Sequence, residues 1–496
     1  MSRSLWFLFF VIITVDVTAQ KGFSAIYGHE SYTYTWPKCI KQIDSSYYLL
    51  NFVFDIPYMP GNEAEIIKFN NNGEIIKKKS FLTSGEQYSP LRKVISTGNS
   101  NFLVLGGTRN NEESNTDIVL LNMDSSLNVI WEKHFQTEGK YLERICYTLN
   151  NRNNLAIAGT LYSGRPARTF SIIFLEITLD GELLGSKHET SGNPNTMMGY
   201  SIISHDNGYY AFVDGFSSYL PVPGYGFSER LDLDTNFNII RAQSIPEGMY
   251  GYMTSRKINE QSYYLTGKQY FNGFYTETGI QKTDTSNAVL FSNHSGLPGN
   301  IPDGPAWLEC MTIANENNIY TGGVGYDVSS LYECNLLYPK VFILSNYDSL
   351  LNNRWIKYYG SDTACYHMKD LDATDDGGCI MAGTILSPNT NPDKTDVIII
   401  KVDSEGLITS SNKPGTRVMQ ALVYPNPGND YLMLQTGRQN MGAIFTLHNL
   451  SGQKLIEQTV NFASQHFSAT GLPSGTYVWS LHKGNSVIET GKWIKQ

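Results

Sequence analysis

Short apolar runs recur along the middle of the chain, each closed by a similar punctuation. The clearest copies are Phe102-Leu-Val-Leu-Gly-Gly-Thr108, Leu155-Ala-Ile-Ala-Gly-Thr160 and Cys379-Ile-Met-Ala-Gly-Thr384. Weaker copies end at Gly215, Gly267 and Gly322, and a first one, from Tyr47 to Phe52, lacks the glycine. Behind each comes a second strand-like run that stops at an acidic or Asn-rich turn: 64–69, 117–124, 171–180, 228–234, 278–284, 341–348 and 396–403. Runs this short, bounded by turn formers, read as strands and not as helices.

The pattern amounts to seven units spaced by roughly fifty to sixty residues, near the period of a kelch blade. Each unit reads as four strands; in the second unit they fall at 91–96, 102–107, 117–123 and 129–135. The first-to-second turns (97–101, 205–208, 375–377) and the third-to-fourth turns (70–73, 124–128, 180–181, 403–406) are short and rich in Asp, Asn and Gly, which tolerate tight hairpins. Four-stranded meanders repeated radially are the blades of a β-propeller, which removes sheet edges by closing a ring. Most units end in a strand such as Trp131-Glu-Lys-His-Phe135 or Trp355-Ile-Lys-Tyr-Tyr-Gly360, but the last has none in good form. The matching piece, Phe23-Ser-Ala-Ile-Tyr-Gly28, lies near the N-terminus and is expected to complete the seventh blade. An open solenoid or a string of sandwiches fits less well, because solenoid turns of this length are uncommon.

Composition agrees with an all-β globular protein. Of 496 residues 41% are hydrophobic and 17% charged, with 32 Tyr, 23 Phe and 44 Gly. The net charge of −9 is spread along the chain without a basic run, which argues against nucleic acid and anionic membrane surfaces as partners. Arg3, the apolar run from Leu5 to Val15 and the small residues Val17-Thr18-Ala19 make residues 1–19 a signal peptide; the run is too short to span a bilayer, and no later stretch spans either. None of the six cysteines forms a C-x-x-C pair, which argues against a zinc site; no metal and no cofactor are expected. In an exported protein they form disulfides, with Cys310–Cys334 and Cys365–Cys379 nearest in sequence, or stay as buried thiols.

After the last unit, 410–417 has the Ser/Asn/Lys/Pro/Gly character of a linker. Residues 418–496 follow a separate period-two pattern, clearest at 431–435, 443–448, 454–458, 477–482 and 487–494, and about seven strands in so short a span suit a small β-sandwich. Four landmarks occur in order: Tyr424-Pro425-Asn426-Pro427, then Leu450-Ser-Gly-Gln453, then Leu472-Pro-Ser-Gly475-Thr476-Tyr477, then Gly491-Lys492-Trp-Ile-Lys495-Gln496. In these the segment resembles the type A C-terminal sorting domain of the type IX secretion system, with Gly428 where alanine is common. The resemblance implies an immunoglobulin-like sandwich and a Bacteroidetes source. It also implies passage from the periplasm across the outer membrane, and partnership with the secretion machinery and its sortase-like peptidase. The cargo, residues 20–409, would then be released or held at the cell surface. Independently of that likeness, Pro425 and Pro427 cannot donate to a ladder and mark a strand's entry, Gly475 is a turn glycine, and Lys492 and Lys495 leave charges at a terminal strand's ends.

Catalytic signatures are absent: there is no H-E-x-x-H, G-x-S-x-G, P-loop or strand-to-helix G-x-G-x-x-G. Asp232-Leu-Asp-Thr-Asn-Phe-Asn238 opens like a calcium loop, but Phe237 occupies the turn glycine's place, so turn chemistry is the better account. His134, His188 and His367 stand without partnered motifs and read as structural; Glu112, Glu113, Asp303 and Asp362 are acidic groups within reach of a propeller mouth. In a meander the two short turns share one face and the long connections share the other, where a rigid scaffold places function. Those long connections carry Tyr34, Trp36, Tyr162, Tyr219, Tyr225, Phe271 and Tyr275, aromatics that either grip a ligand or pack the loops down. The expected function is a secreted or surface-displayed seven-bladed propeller that binds a polysaccharide or protein without catalysis. The alternatives are an extracellular hydrolase or lyase using carboxylates at the long-loop mouth, and a purely adhesive or structural surface protein.

Overall fold

A computed structural model describes residues 22–496 apart from 30–32, 55–62, 82–85, 99–100, 111–115, 138–140, 163–169, 191–195, 217–226, 247–248, 272–274, 298–302, 326–339, 362–363, 388–390, 409–416, 420, 437–439, 463 and 485. The expected signal peptide and nearly all of the linker lie outside the described residues, as do Tyr219, Tyr225, Glu112, Glu113, Asp362 and Cys334.

Strands dominate, and they form antiparallel meanders in chain order. The first comprises Tyr34–Ile43, Ser46–Phe54, Glu63–Phe69 and Ile75–Phe81, and the second Glu86–Ser96, Asn101–Asn110, Thr116–Asp124 and Val129–Phe135. The third (Tyr141–Leu149 to Leu183–Thr190), fourth (Thr196–His205 to Ile239–Ser244) and fifth (Met249–Asn259 to Val289–Ser295) repeat the arrangement. In the sixth the innermost strand is split into Gly304–Pro305 and Met311–Asn315, and Arg417–Met419 adds to its outer edge, beside Asn353–Gly360. The last has three strands of its own, Cys365–Ala373, Cys379–Ser387 and Asn391–Val402. Phe23–Tyr27 pairs antiparallel onto the third, from Phe23 opposite Lys401 to Tyr27 opposite Val397.

The hairpin turns show why the pattern repeats. Asp124 Oδ1 accepts the N–H groups of Ser126 and Asn128, and Asp234 does the same for Asn236 and Asn238. The fourth turn residue is left-handed: Gly73 at φ 80°, but Leu127 at 62°, Phe237 at 61° and Leu351 at 61°. These three bear the cost of that conformation because their side chains are buried between sheets, Phe237 stacking on Phe174 and Tyr209. The calcium-like stretch is therefore a hairpin turn.

The core lies between sheets. One apolar cluster joins the first and second meanders (Leu50, Ile66, Val104, Leu121), another the sixth and last (Phe342, Leu344, Met381, Ile400). A further cluster joins the last to the first through Ile399, Ala382, Leu49 and Phe69, with Phe23 among them. Because both faces of each sheet are covered, runs such as Phe102 to Leu105 are apolar without alternation and fully buried.

A second set of contacts runs around the innermost strands. The N–H of Val94 donates to Cys39 Sγ, Ser255 to Ser201 Oγ, Cys310 to Thr254 Oγ1 and Ala373 to Thr312 Oγ1. From the last meander back to the first, the acceptors are carboxylates: Ile40 N–H donates to Asp370 Oδ2 at 2.7 Å and Gln42 N–H to Asp372 Oδ2 at 3.0 Å. A small polar side chain on one inner strand thus satisfies backbone on the next. Neither sequence-adjacent disulfide forms: Cys310 and Cys379 are buried free thiols, as are Cys39 and Cys146, and Cys365 is disulfide-bonded elsewhere. Cys39 sits in this inter-sheet ladder, where a thiol is a small buried group first.

The C-terminal part has a three-stranded sheet (Ala421–Tyr424, Tyr431–Thr436, Ser464–Ser468) and a four-stranded one (Ile444–Asn449, Lys454–Thr459, Gly475–Lys483, Ser486–Lys495) around Leu434, Phe445, Trp479 and Trp493. It rests on the sixth meander: Leu422 and Tyr424 pack with Val341, Ile343 and Tyr358, and Gln435 Nε2 donates to Tyr358 Oη.

Candidate functional site

The innermost strands of all these meanders converge on one cavity of about 1110 Å³. Its rim carries Gln42, Ser96, Thr148, Ser204, Asn315 and Asp375, next to the first-to-second turns. Deeper, the wall is charged. Glu309 makes ion pairs with Lys93 and with Arg256 (3.0 Å), and Lys41 pairs with Asp372 at 2.7 Å. Burial opposes ionisation of Glu309, yet Lys93 and Arg256 outweigh it and hold the carboxyl at about 2. Asp370 has the opposite fate: burial pushes it up to about 7, with Lys93 opposing and Glu309 adding to the rise, and its Oδ1 has no hydrogen-bond partner. Two carboxyl groups lining one cavity are thus pushed in opposite directions, Glu309 held ionised and Asp370 drawn toward its protonated form.

Beside this cavity a smaller cleft is lined by Lys38, Arg92, Lys93, Arg144 and Tyr200. Arg144 lies over the Tyr200 ring at 4.5 Å and Lys38 over Trp36 at 4.1 Å. Burial, and then Arg92, hold the Lys38 amine well below its ordinary value. Trp36 and Trp307 are 5.4 Å apart, Lys369 Nζ sits 3.9 Å from the Trp307 centroid, and His367 lies 5.8 Å from the same ring. Burial, reinforced by Lys369 and Lys340, keeps His367 neutral.

The aromatics expected on long connections sit on strands instead. Tyr34 and Trp36 belong to Tyr34–Ile43, opposite Phe54 and Phe52, and Phe271 pairs with Tyr275 across a hairpin end. Tyr34 stacks on Phe54 at 5.4 Å, and Tyr162 packs between Tyr141 and Phe170. Strand pairing continues into these segments because aromatic pairs favour it. Trp36 reaches the cationic cluster, with Lys38 and Lys369 near its ring. Asp303 is buried and accepts the Leu297 N–H, so it serves its own loop. His134 pairs with Glu132, and His188 with Ser171. Sequence reading missed Glu309, Lys93, Arg256 and Asp370; the available signal was a charge such as Lys93 within the predicted strand 91–96, where apolar residues are usual.

In the C-terminal part the landmark residues meet one another. Asn426 Oδ1 accepts the Ile494 N–H, its Nδ2 donates to Lys492 O, and Trp493 Nε1 donates to Pro425 O at 2.7 Å. A Cβ on Gly428 would stand 2.8 Å from Pro425 O and 3.0 Å from the Trp493 ring, which favours glycine there. Pro425 and Pro427 lie between two strands, after Ala421–Tyr424, and Gly475 opens the strand that continues through Thr476 and Tyr477. Lys492 is exposed, but Lys495 is 9% exposed and donates to Ala469 O, so the strand does not leave both charges in water.

Comparison with known proteins now places this segment: residues 422–496 are a secretion system C-terminal sorting domain. The domain marks the chain for the type IX secretion machinery, and so for export to the outer surface or release. Among the described residues no helix is long and apolar enough to cross a membrane. No curated protein matches the chain. Among solved structures it is similar to the β-propeller domain of the Trilobed protease from Pyrococcus furiosus (11% identity, TM-score 0.43, covering 78% of this chain and 100% of that one). It is also similar to the Pyrococcus horikoshii acylaminoacyl peptidase (12%, 0.42, 81% and 58%) and to a protein of unknown function from Dyadobacter fermentans (8%, 0.41, 77% and 98%). None of these likenesses bears on what this chain binds or does.

Proposed function

We propose that residues 20–409 form a closed seven-bladed β-propeller, with Phe23–Tyr27 as the outer strand of the seventh blade. Behind it stands an immunoglobulin-like sorting domain, and a signal peptide precedes it. On this reading the protein is a secreted or surface-displayed module of a Bacteroidetes cell that binds a polysaccharide or protein chain at its axis. The observation that carries it is the polar cavity of about 1110 Å³ shared by the inner strands, large enough for several sugar rings or a short peptide end. Charged groups of both signs on the wall suit a ligand rich in hydroxyl and amide groups. Trp36 and Trp307 offer rings on the cationic side, whereas Tyr34 and Tyr162 are occupied with their neighbours. The test is to probe the mature chain against glycan and peptide arrays, with Lys41→Ala and Arg256→Ala alongside. Binding that both variants weaken supports the axial site; binding that neither changes contradicts it.

A hydrolase remains the second reading, on the strength of Asp370 and Glu309. A carboxyl at about 7 near one at about 2 is how an acid and a base are separated in one site. Turnover of an array ligand, abolished by Asp370→Asn, would favour it over simple binding.

A further inference from the structure

Away from the axis, where the N-terminal segment crosses from the last meander to the first, three potential ligands meet. His29, Glu63 and Glu65 each present one nitrogen or oxygen, and these atoms lie within 4.8 Å of one another. Glu63 and Glu65 are alternate residues of Glu63–Phe69 and therefore share a face of the sheet. Both are deeply buried, at 6% and 1% exposure. Glu65 is engaged: His29 Nε2 is 3.3 Å away, Lys78 makes an ion pair with it, and Asn51 Nδ2 donates to its Oε2 at 3.0 Å. Glu63 differs: its backbone pairs with Val53, but among the described residues its carboxylate makes neither a side-chain hydrogen bond nor an ion pair. The neighbouring Asn51 Oδ1 is also buried without a hydrogen-bond partner. Two buried carboxylates at this separation repel, and a single lysine, itself about one-third exposed, offsets only one of them.

We propose that His29, Glu63 and Glu65 bind a divalent cation of the zinc class. One imidazole nitrogen and two carboxylates are ligand types zinc takes, three from the protein with water completing the tetrahedron; calcium would need more oxygens than the cluster supplies. Asn51 orients Glu65, and Lys78 moves away from it when the ion arrives. The ion would act as a staple. His29 lies two residues past Phe23–Tyr27, whose own pairing is with the last meander, whereas both glutamates belong to the first. Metal binding would therefore tie the junction of the two meanders through the N-terminal segment. No cysteine or histidine spacing marks the site, which is why the sequence predicted no metal.

The experiment is equilibrium dialysis of the untagged mature chain, stripped with a chelator, against zinc, manganese and calcium chlorides, with metal read by mass spectrometry. The expected result is one zinc per chain and no retained calcium. Glu63→Gln and His29→Ala should each weaken zinc binding at least roughly tenfold, while Lys78→Ala tightens it. Glutamine matches glutamate in shape, so a folded Glu63→Gln chain isolates the charge. Zinc should also raise the melting temperature of the parent and slow amide exchange in 23–29, with neither effect in His29→Ala. Failure of the parent to retain zinc, or equal retention by the parent and Glu63→Gln, overturns the proposal.

Discussion

Asp370→Asn is the perturbation with the sharpest outcome. The aspartate is 1% exposed, and its carboxyl titrates at about 7 instead of 3.8, burial being the main cause. The folded state therefore keeps this proton to higher pH than the unfolded chain does. Stability from the group is full below about pH 4, falls as the pH rises, and is lost by about pH 7. At 1.36 kcal/mol for each pH decade the loss reaches about 4 kcal/mol, and relaxation around Lys93 brings the realistic range to about 2–4 kcal/mol. Asparagine does not ionise, and its Oδ1 still accepts the Ile40 N–H that Asp370 Oδ2 now takes at 2.7 Å. Urea unfolding followed by tryptophan fluorescence should thus find the variant equal to the parent near about pH 4. Near about pH 8 it should be more stable by about 2–4 kcal/mol. A variant that is less stable than the parent near neutral pH, or a gap that does not change with pH, would refute the reasoning. A gain in stability at an axial residue would also match the trade against function seen at sites that hold strained charge.

Other perturbations probe different parts. Glu309 is held at about 2, so its contribution is present above about pH 4.5 and lost as the pH falls through about 2; Glu309→Gln should remove that acid limb and, by leaving Lys93 and Arg256 without their anion, cost about 3–5 kcal/mol in urea unfolding near neutral pH. Arg230 is fully buried, lies over Tyr210 at 4.2 Å and donates to Asp232, Tyr263 and the Thr285 carbonyl; Arg230→Ala should cost about 3–5 kcal/mol, and lysine should restore little, because it lacks the planar fork. At Gly378 an added Cβ would stand 2.1 Å from the Val402 carbonyl oxygen, so Gly378→Ala should lower stability by more than about 2 kcal/mol in the same assay. Trp493 is fully buried and ties the last strand to Pro425; Trp493→Ala should cost the sorting domain about 3–5 kcal/mol and leave the protein inside the cell in a fractionation assay.

The repeats were legible because backbone and burial impose them. Strands covered on both faces must be apolar throughout, as at Phe102 to Leu105, and the turn Asp must stand where its carboxylate can take two N–H groups, as at Asp124. The Tyr-Pro-Asn-Pro landmark and the terminal Lys-Trp-Ile-Lys were legible for a related reason: they touch, through Asn426 and Trp493, and so must occur together. The axial site was hidden. Its charged residues come from separate meanders, Lys93, Arg256 and Asp370 from inner strands and Glu309 from between the two pieces of a split one; they are more than 270 positions apart at the extremes, and no local spacing records their meeting. The placing of Tyr34 and Tyr162 on loops was not legible for the opposite reason, since they have the composition of a loop surface and the environment of a strand end.

Closure of the ring requires residues 23–27 to zip against 397–401 so that the last meander meets the first. Ala25 lies opposite Ile399 in that register, and Ile157 opposite Leu175 within one meander serves as a control. Cysteines placed at 25 and 399 should, on mild oxidation of the folded chain, give one link within the molecule, identified by peptide mass. If the control pair links and the 25–399 pair stays open or links only between molecules, the ring is not closed as proposed.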